Sequence, residues 1–83
     1  MATWQIDLHN VGTERITTTT VVSVPDLVRA KQEAARECRR YLSGGGSLYL
    51  EARGNYTYAL VLGLDEVGEV RITRTGVHSH SVP

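Results

Sequence analysis

The histidines are the first candidates for a metal site in this sequence. The three histidines are His9, His78 and His80. The last two lie two residues apart and would share one side of an extended segment, but two ligands do not complete a zinc site. We therefore expect no bound metal and no cofactor.

A cluster of acidic residues is the group that could serve as acid and base. Asp65, Glu66 and Glu69 follow an apolar run, in a position where acidic side chains usually accept local hydrogen bonds in a turn. Acid–base catalysis needs a cleft that separates the pKa values of two carboxyls, and a chain of 83 residues has little room for one. The sequence therefore predicts a protein that is not an enzyme.

The single cysteine and the glycine-rich segment are two further candidates for chemistry. Cys38 falls on the apolar side of a predicted helix, where a small buried residue is expected, and a lone cysteine cannot form a disulfide within the chain. Glycines 44–46 follow that helix, whereas a phosphate-binding loop places its glycines before a helix and adds a lysine. We expect a reducing compartment and a flexible link.

The element that organises the chain is a helix predicted over 25–42. Its apolar residues recur at steps of three and four, and the middle of the stripe is small, with Ala30, Ala34 and Cys38. Pro25 suits a first helical position, and a negative charge at Asp26 is favourable at the positive end of the helix dipole. Small residues at the centre of the stripe predict that the helix packs closely on a sheet.

Five segments with the two-residue period of β-strands surround this helix. They are Thr3–His9, Glu14–Val24, Leu48–Arg53, Tyr56–Leu64 and Glu69–Thr75. Their order predicts an α+β two-layer sandwich, ββαβββ, with one helix packed on a mostly antiparallel five-stranded sheet. Residues 1–75 are expected to form a single domain, and 76–83 a flexible C-terminal tail.

The order of the first elements is similar to that of a known fold. A hairpin, a helix and a second hairpin over about Thr3 to Gly63 resemble the β-grasp arrangement of ubiquitin-like and bacterial immunoglobulin-binding domains. The resemblance implies an α+β sandwich. A fifth strand follows, and the end Ser81-Val82-Pro83 lacks the diglycine of a conjugated modifier, so no activity of those domains is carried over.

The hairpin turns determine which residues face each other. In the first hairpin, a turn at Asn10 to Gly12 predicts that Ile6 pairs with Ile16. The second strand contains the β-branched run Thr17–Thr20. Three interpretations of this run are a polar edge strand, a row of hydroxyls for a ligand, and an edge that accepts another strand.

A turn at Gly54-Asn55 in the second hairpin predicts two distinct faces. Its helix side would hold Leu48, Leu50, Ala52, Ala59 and Val61. Its outer side would hold an aromatic, aliphatic and arginine patch, completed by one residue of the fifth strand: Tyr49, Arg53, Tyr56, Tyr58, Leu60, Leu62 and Arg71. Such a composition is typical of interface cores, since tyrosine and arginine bury much area and keep polar groups available.

Composition narrows the class of partner. Nine basic and nine acidic residues balance, which argues against a partner chosen by bulk charge, such as duplex DNA or an anionic membrane. The N-terminus lacks the features of a signal peptide and no apolar run could span a membrane, so a cytoplasmic location is expected. Eight of the nine basic residues are arginine and phenylalanine is absent, which fits a GC-rich coding sequence such as a phage gene.

The sequence thus predicts a small protein-binding module without catalytic activity, a regulator or inhibitor of a larger protein. Its outer patch would bind another protein or a second copy of the chain, or would be covered by the tail or the N-terminal strand. The alternative is a single-stranded nucleic-acid binder that stacks bases on tyrosines and holds phosphates with Arg53, Arg71 and Arg74.

Overall fold

The computed structural model describes residues 2–43 and 45–75, which form one five-stranded sheet covered on one face by a helix. The strands are β1 (Ala2–Val11), β2 (Ile16–Val24), β3 (Leu48–Gly54), β4 (Thr57–Leu62) and β5 (Asp65–Thr75), and the helix is α1 (Leu27–Arg39). The predicted α+β two-layer ββαβββ fold is confirmed. The predicted tail, 76–83, lies outside the described residues.

The sheet is antiparallel throughout, in the order β2-β1-β5-β4-β3. The last strand, β5, lies between the two hairpins and joins them into one sheet. Strands β2 and β3 are left at the two edges, and α1 connects them across one face. We call the opposite face of the sheet the outer face. Among the described residues, no helix has the length and apolar composition needed to cross a membrane.

Helix α1 packs on the sheet through its small residues, as predicted. Ala30, Ala34 and Cys38 are fully buried, so the helix backbone lies close to the strands. Asp26 is the N-cap, and its carboxylate accepts a 2.9 Å hydrogen bond from the amide of Arg29. The helix therefore begins after Asp26, and Pro25 precedes the cap instead of occupying the first helical position.

The core consists of aliphatic side chains between α1 and the sheet. Its largest fully buried members are Ile6, Leu8, Val11, Leu60, Val70 and Ile72. Trp4 packs against this core, and its indole donates a 3.2 Å hydrogen bond to the carbonyl of Val24. The guanidinium of Arg74 lies 5.9 Å from the centre of the Trp4 ring.

Two glycines allow close backbone packing at the end of the sheet where the first hairpin turns. Gly12 has a φ of 80°, its amide donates a 2.9 Å hydrogen bond to the carbonyl of Val67, and an added Cβ would collide with the carbonyl oxygen of Tyr41. A Cβ on Gly68 would lie 2.8 Å from a methyl group of Val11. The chain after α1, the first hairpin turn and β5 therefore meet at a distance that only glycine permits.

Candidate functional site

The second hairpin turns one residue later than predicted. Gly54 pairs with Thr57, so the two-residue loop is Asn55-Tyr56. These two residues have φ values of 51° and 63°, which is the conformation of a type I′ hairpin turn. Moving the loop by one residue changes the register by two, which by itself would keep the predicted faces. The bulge between Ala52 and Gly54 takes back one residue, so the net shift of the register is one residue.

This shift corrects the predicted outer patch. Tyr58 is only 8% exposed and Leu60 is fully buried, both on the α1 side, and Leu62 is half-buried on that same side. Conversely, Ala59 and Val61 lie on the outer face. Because side chains alternate along a strand, a register error of one residue exchanges the two faces.

The remaining predicted residues do lie away from the core. Tyr49 is 50% exposed on the outer face, and Tyr56 is exposed in the turn. Arg71 is exposed on β5, opposite Asp7 of β1 and Thr57 of β4. The structure therefore separates the seven predicted site residues into an exposed set and a buried set instead of bringing them together.

Arg53 is engaged in a network of ion pairs on the outer face. Its guanidinium lies 3.1 Å from the Glu66 carboxylate and 3.7 Å from that of Glu51. Glu51 is opposite Ala59 and Glu66 is opposite Val61 in the register, so the network extends across these two apolar residues. This explains why both are buried on an otherwise open face.

The centre of the outer face is polar. The Asp7 carboxylate accepts a 2.7 Å hydrogen bond from the hydroxyl of Thr19 and a 3.1 Å hydrogen bond from the side-chain amide of Gln5. Hydroxyl, amide and carboxylate groups thus form this part of the outer face. The exposed large apolar side chains lie elsewhere: Val21 and Tyr49 on the two edge strands, Leu27 and Val28 on α1, and Tyr56 and Leu64 in turns.

A groove lies between α1 and the edge strand β3, with a volume of about 350 Å³. It is lined by Val28, Lys31, Gln32 and Ala35 of α1 and by Tyr49 and Leu50 of β3. Val28 is 63% exposed, which is unusual for a large aliphatic residue on a packed helix. We call this feature the α1–β3 groove. Lys31 is the charged residue in its lining, and its ammonium lies 5.2 Å from the centre of the buried Tyr58 ring.

The backbone next to this groove has hydrogen-bonding groups that no other described strand pairs with. The amide of Gly63 donates a 2.8 Å bond to the carbonyl of Ser47, and hydrogen-bonded and non-hydrogen-bonded pairs alternate along an antiparallel ladder. Tyr49 and Glu51 therefore bond to β4. The amides and carbonyls of Leu48, Leu50 and Ala52 point away from the sheet, where no described strand adjoins β3.

A second concavity, of about 650 Å³, lies where the hairpin turns meet the chain after α1. Its charged lining residues are His9, Arg15, Glu66 and Glu69. No group of three or more His, Cys, Asp or Glu residues within the described ranges could hold a metal ion. Leu62 is the one residue of the predicted patch in this lining.

The thiol of Cys38 is not available for chemistry. Cys38 is fully buried beneath α1, and desolvation, assisted by the nearby Glu37 carboxylate, raises its pKa to about 12. It is therefore a protonated thiol at neutral pH, and the predicted burial of Cys38 is confirmed.

Comparison with protein-family models, curated proteins and solved structures returned no match. The geometry of the β3 edge is therefore the basis for a functional proposal. The sequence pattern does not reveal the α1–β3 groove, because Val28 and Ala35 extend the apolar stripe of the helix and so have the spacing of core residues. The apolar stripe of α1 is wider than contact with one sheet requires, and this width is the signal that could have revealed the groove.

Proposed function

We propose that this protein is a non-catalytic protein-binding module that accepts an extended segment of a partner along the β3 edge. The observation that carries the proposal is the coincidence of three outward-facing backbone positions, Leu48, Leu50 and Ala52, with an exposed apolar groove beside them. Strand addition uses such a combination, in which backbone hydrogen bonds supply affinity and side-chain pockets supply specificity.

The shape of the edge defines the segment that fits. Successive side chains of an added strand point to opposite faces, so alternate residues would enter the α1–β3 groove and the others would lie beside Tyr49 on the outer face. Val28 and Leu50 favour an aliphatic or aromatic side chain in the groove. Lys31 favours a carboxylate next to it. The expected ligand is an extended segment that alternates apolar residues and contains an acidic one.

The size of the site predicts a modest affinity. A single added strand with one groove buries less than the roughly 1,200–2,000 Å² of a standard protein interface. Ordering the added segment reduces the affinity further. We therefore expect dissociation constants in the micromolar range, which suits a reversible regulator or inhibitor of a larger protein.

The geometry offers less support for a nucleic-acid platform. That alternative requires tyrosines and arginines on one surface, but Tyr58 is buried under α1. Arg74 lies over Trp4, on the helix side of the sheet, whereas Arg71 is on the outer face. Arg53 already pairs with two carboxylates.

Selection from a library of short random peptides tests the proposal. Wild-type protein should enrich alternating apolar and acidic sequences. The enriched peptides should bind Tyr49→Ala and Ala52→Pro about tenfold more weakly, because these changes remove an exposed contact and an outward amide. The matched controls are Tyr56→Ala, which removes an exposed tyrosine of the turn, and Ala52→Thr, which keeps the amide.

Two outcomes would contradict the proposal. One is enrichment of the same peptides by wild type and by the Tyr49→Ala, Ala52→Pro double variant. The other is binding of single-stranded oligonucleotides whose logarithmic affinity falls steeply and linearly with the logarithm of salt concentration, because that dependence indicates phosphate contacts. Peptide binding at the β3 edge should change little with salt.

A further inference from the structure

Strand β2, at the opposite edge of the sheet, lacks the features that normally prevent edge strands from pairing. Its nine residues, Ile16–Val24, include no charged residue and no proline. Its pairs with β1 continue without interruption from Ala2–Val24 to Leu8–Thr18. Natural edge strands are usually protected by charges, prolines or bulges, so β2 is a ready template for another strand.

The hydrogen-bond ladder shows which backbone groups of β2 have no partner among residues 2–43 and 45–75. The amide of Ile72 donates a 3.0 Å bond to the carbonyl of Tyr56. The backbone groups of even-numbered β5 residues therefore point toward β4, and those of odd-numbered β5 residues point toward β1. Because Asp7 pairs with Arg71, the backbone groups of odd-numbered β1 residues point toward β5, and those of even-numbered β1 residues point toward β2.

The same alternation extends to β2 itself. Between Thr18 and Val24, its even-numbered residues pair with even-numbered residues of β1 and bond to that strand. The amides and carbonyls of Thr17, Thr19, Val21 and Ser23 therefore point out of the sheet. Their side chains are exposed on the outer face, and Val21 is 60% exposed.

The sequence of β2 is complementary to itself when reversed. About a two-fold axis at Thr20, the pairs are Ile16 with Val24, Thr17 with Ser23, Thr18 with Val22, Thr19 with Val21, and Thr20 with Thr20. Every pair joins two aliphatic groups, two hydroxyls, or threonine with valine. The outward-facing residues pair with one another, so each of these pairs could exchange two backbone hydrogen bonds.

Burial along β2 has the same symmetry. Half-buried and exposed residues alternate identically from either end of the strand. A two-fold axis perpendicular to the sheet would therefore place half-buried side chains next to half-buried ones and exposed next to exposed. Such a self-complementary patch is what an isologous dimer interface requires.

We propose that two copies of this chain pair through their β2 strands in antiparallel orientation and form a continuous ten-stranded sheet. Both helices lie on one face of this sheet, and Val21 packs beside Thr19 of the partner subunit. The two β3 edges lie at the far ends of the dimer and stay free. The dimer would thus present two copies of any site at the β3 edge.

Solution mass over a range of concentrations tests this proposal. The pairing of two edge strands is a small interface, so wild-type protein should shift from 9.1 kDa at low micromolar concentration to about twice that mass toward millimolar concentration. The double variant Thr19→Lys, Val21→Lys places lysines opposite lysines and should stay monomeric. The double variant Thr19→Glu, Val21→Glu should do the same.

A mixture of the lysine and glutamate variants tests the register. Lysine would then face glutamate at both positions, so the mixture should form heterodimers while neither variant forms homodimers. Tyr49→Lys, at the other edge, is the matched control and should dimerise like wild type. Thermal unfolding monitored by circular dichroism should show that all four proteins are folded.

Three results would overturn the proposal. Wild-type protein that remains at 9.1 kDa at millimolar concentration would exclude the dimer. Loss of dimerisation in Tyr49→Lys, with dimerisation retained in the lysine double variant, would locate the interface elsewhere. A mixture that stays monomeric would contradict the pairing about Thr20.

Discussion

Strands β2 and β3 are the two edges of one sheet, yet they offer different surfaces. Strand β2 has nine residues and no charge, and its ladder with β1 is continuous from Val24 to Thr18, with a register shift before Ile16. Strand β3 has seven residues, carries Glu51 and Arg53, contains a bulge and lies beside an apolar groove. Both expose backbone hydrogen-bonding groups.

The difference shows that an open backbone does not by itself select a partner. Side chains opposite one another decide whether an edge fits its own copy, and β2 fits itself because its reversed sequence presents matching pairs. The charges and bulge of β3 oppose self-pairing. The α1–β3 groove favours a different chain that can insert a side chain.

The largest expected effect is on the free energy of unfolding, and it distinguishes β2 residues whose amides bond to β1 from those whose amides point out of the sheet. Thr20→Pro removes an amide that bonds to β1 and leaves its acceptor unpaired, so it should lower the free energy of unfolding by about 3 kcal/mol, the upper end of the cost of an unsatisfied buried group. Val21→Pro removes an outward amide and should cost less than about 1 kcal/mol in the monomer. Urea unfolding at low micromolar concentration measures both changes, and equal losses would contradict the ladder assignment.

Leu60→Ala tests the register of the β3 hairpin. Leu60 is fully buried, so its truncation should lower the free energy of unfolding by about 3 kcal/mol, within the range for buried leucines. Leu64→Ala is the matched control, because Leu64 is 99% exposed and its truncation should have almost no effect. A small effect of Leu60→Ala would favour the originally predicted register, with its tyrosines outside.

Cys38 is buried on the side of α1 that packs on the sheet, so the ionisation of its thiol is coupled to unfolding of the core. Burial raises the pKa of its thiol from 9.0 to about 12. Above pH 9 the unfolded thiol loses its proton while the folded one keeps it, so stability falls as pH rises toward 12. The slope should reach about 1.4 kcal/mol per pH unit.

Urea unfolding across this pH range measures the contribution of Cys38. The Cys38→Ala variant should lose stability less steeply with pH, and identical slopes would contradict a buried thiol. Alkylation of Cys38 should be no faster in the lysine double variant of β2 than in wild type, because that variant alters an edge and leaves the core intact.

The smallest expected effect concerns the turn that ends β3. Tyr56 has a φ of 63° in the type I′ turn, which glycine adopts without steric cost. Tyr56→Gly should therefore raise the free energy of unfolding or leave it unchanged within about 1 kcal/mol, and peptide binding at the β3 edge should be retained. A loss of several kcal/mol would show that the turn lies elsewhere.

The sequence was sufficient to predict the helix, the five strands and their order along the chain. The first hairpin shows why a wrong register can leave the faces correct. Ile6 pairs with Thr20 and not with the predicted Ile16, which is a shift of an even number of residues. The same side chains therefore remain in the core.

The second hairpin shows the opposite result. Tyr49 pairs with Val61 instead of Leu60, and this shift of one residue moves Tyr58 into the core and Val61 to the outer face. Two overlapping dipeptides, Gly54-Asn55 and Asn55-Tyr56, could each form the turn. The choice between these two turns alone leaves the faces unchanged, and the bulge between Ala52 and Gly54 exchanges them. Bulges have no short-range sequence signal strong enough to locate them.

The α1–β3 groove could not be predicted from periodicity. Its existence depends on where α1 rests across the sheet, which leaves Val28 exposed beside β3. The self-complementarity of β2, in contrast, is visible in its sequence once the strand is known to lie at an edge.

Amide hydrogen exchange measured at several protein concentrations tests the central claim most directly, that the two edges have different partners. The inward amides of Thr18, Thr20 and Val22 should be protected at every concentration. The outward amides of Thr17, Thr19, Val21 and Ser23 should exchange fast in dilute protein and become protected as concentration rises, while those of Leu48, Leu50 and Ala52 stay fast. Protection that rises at the β3 amides, or at neither edge, would contradict the claim.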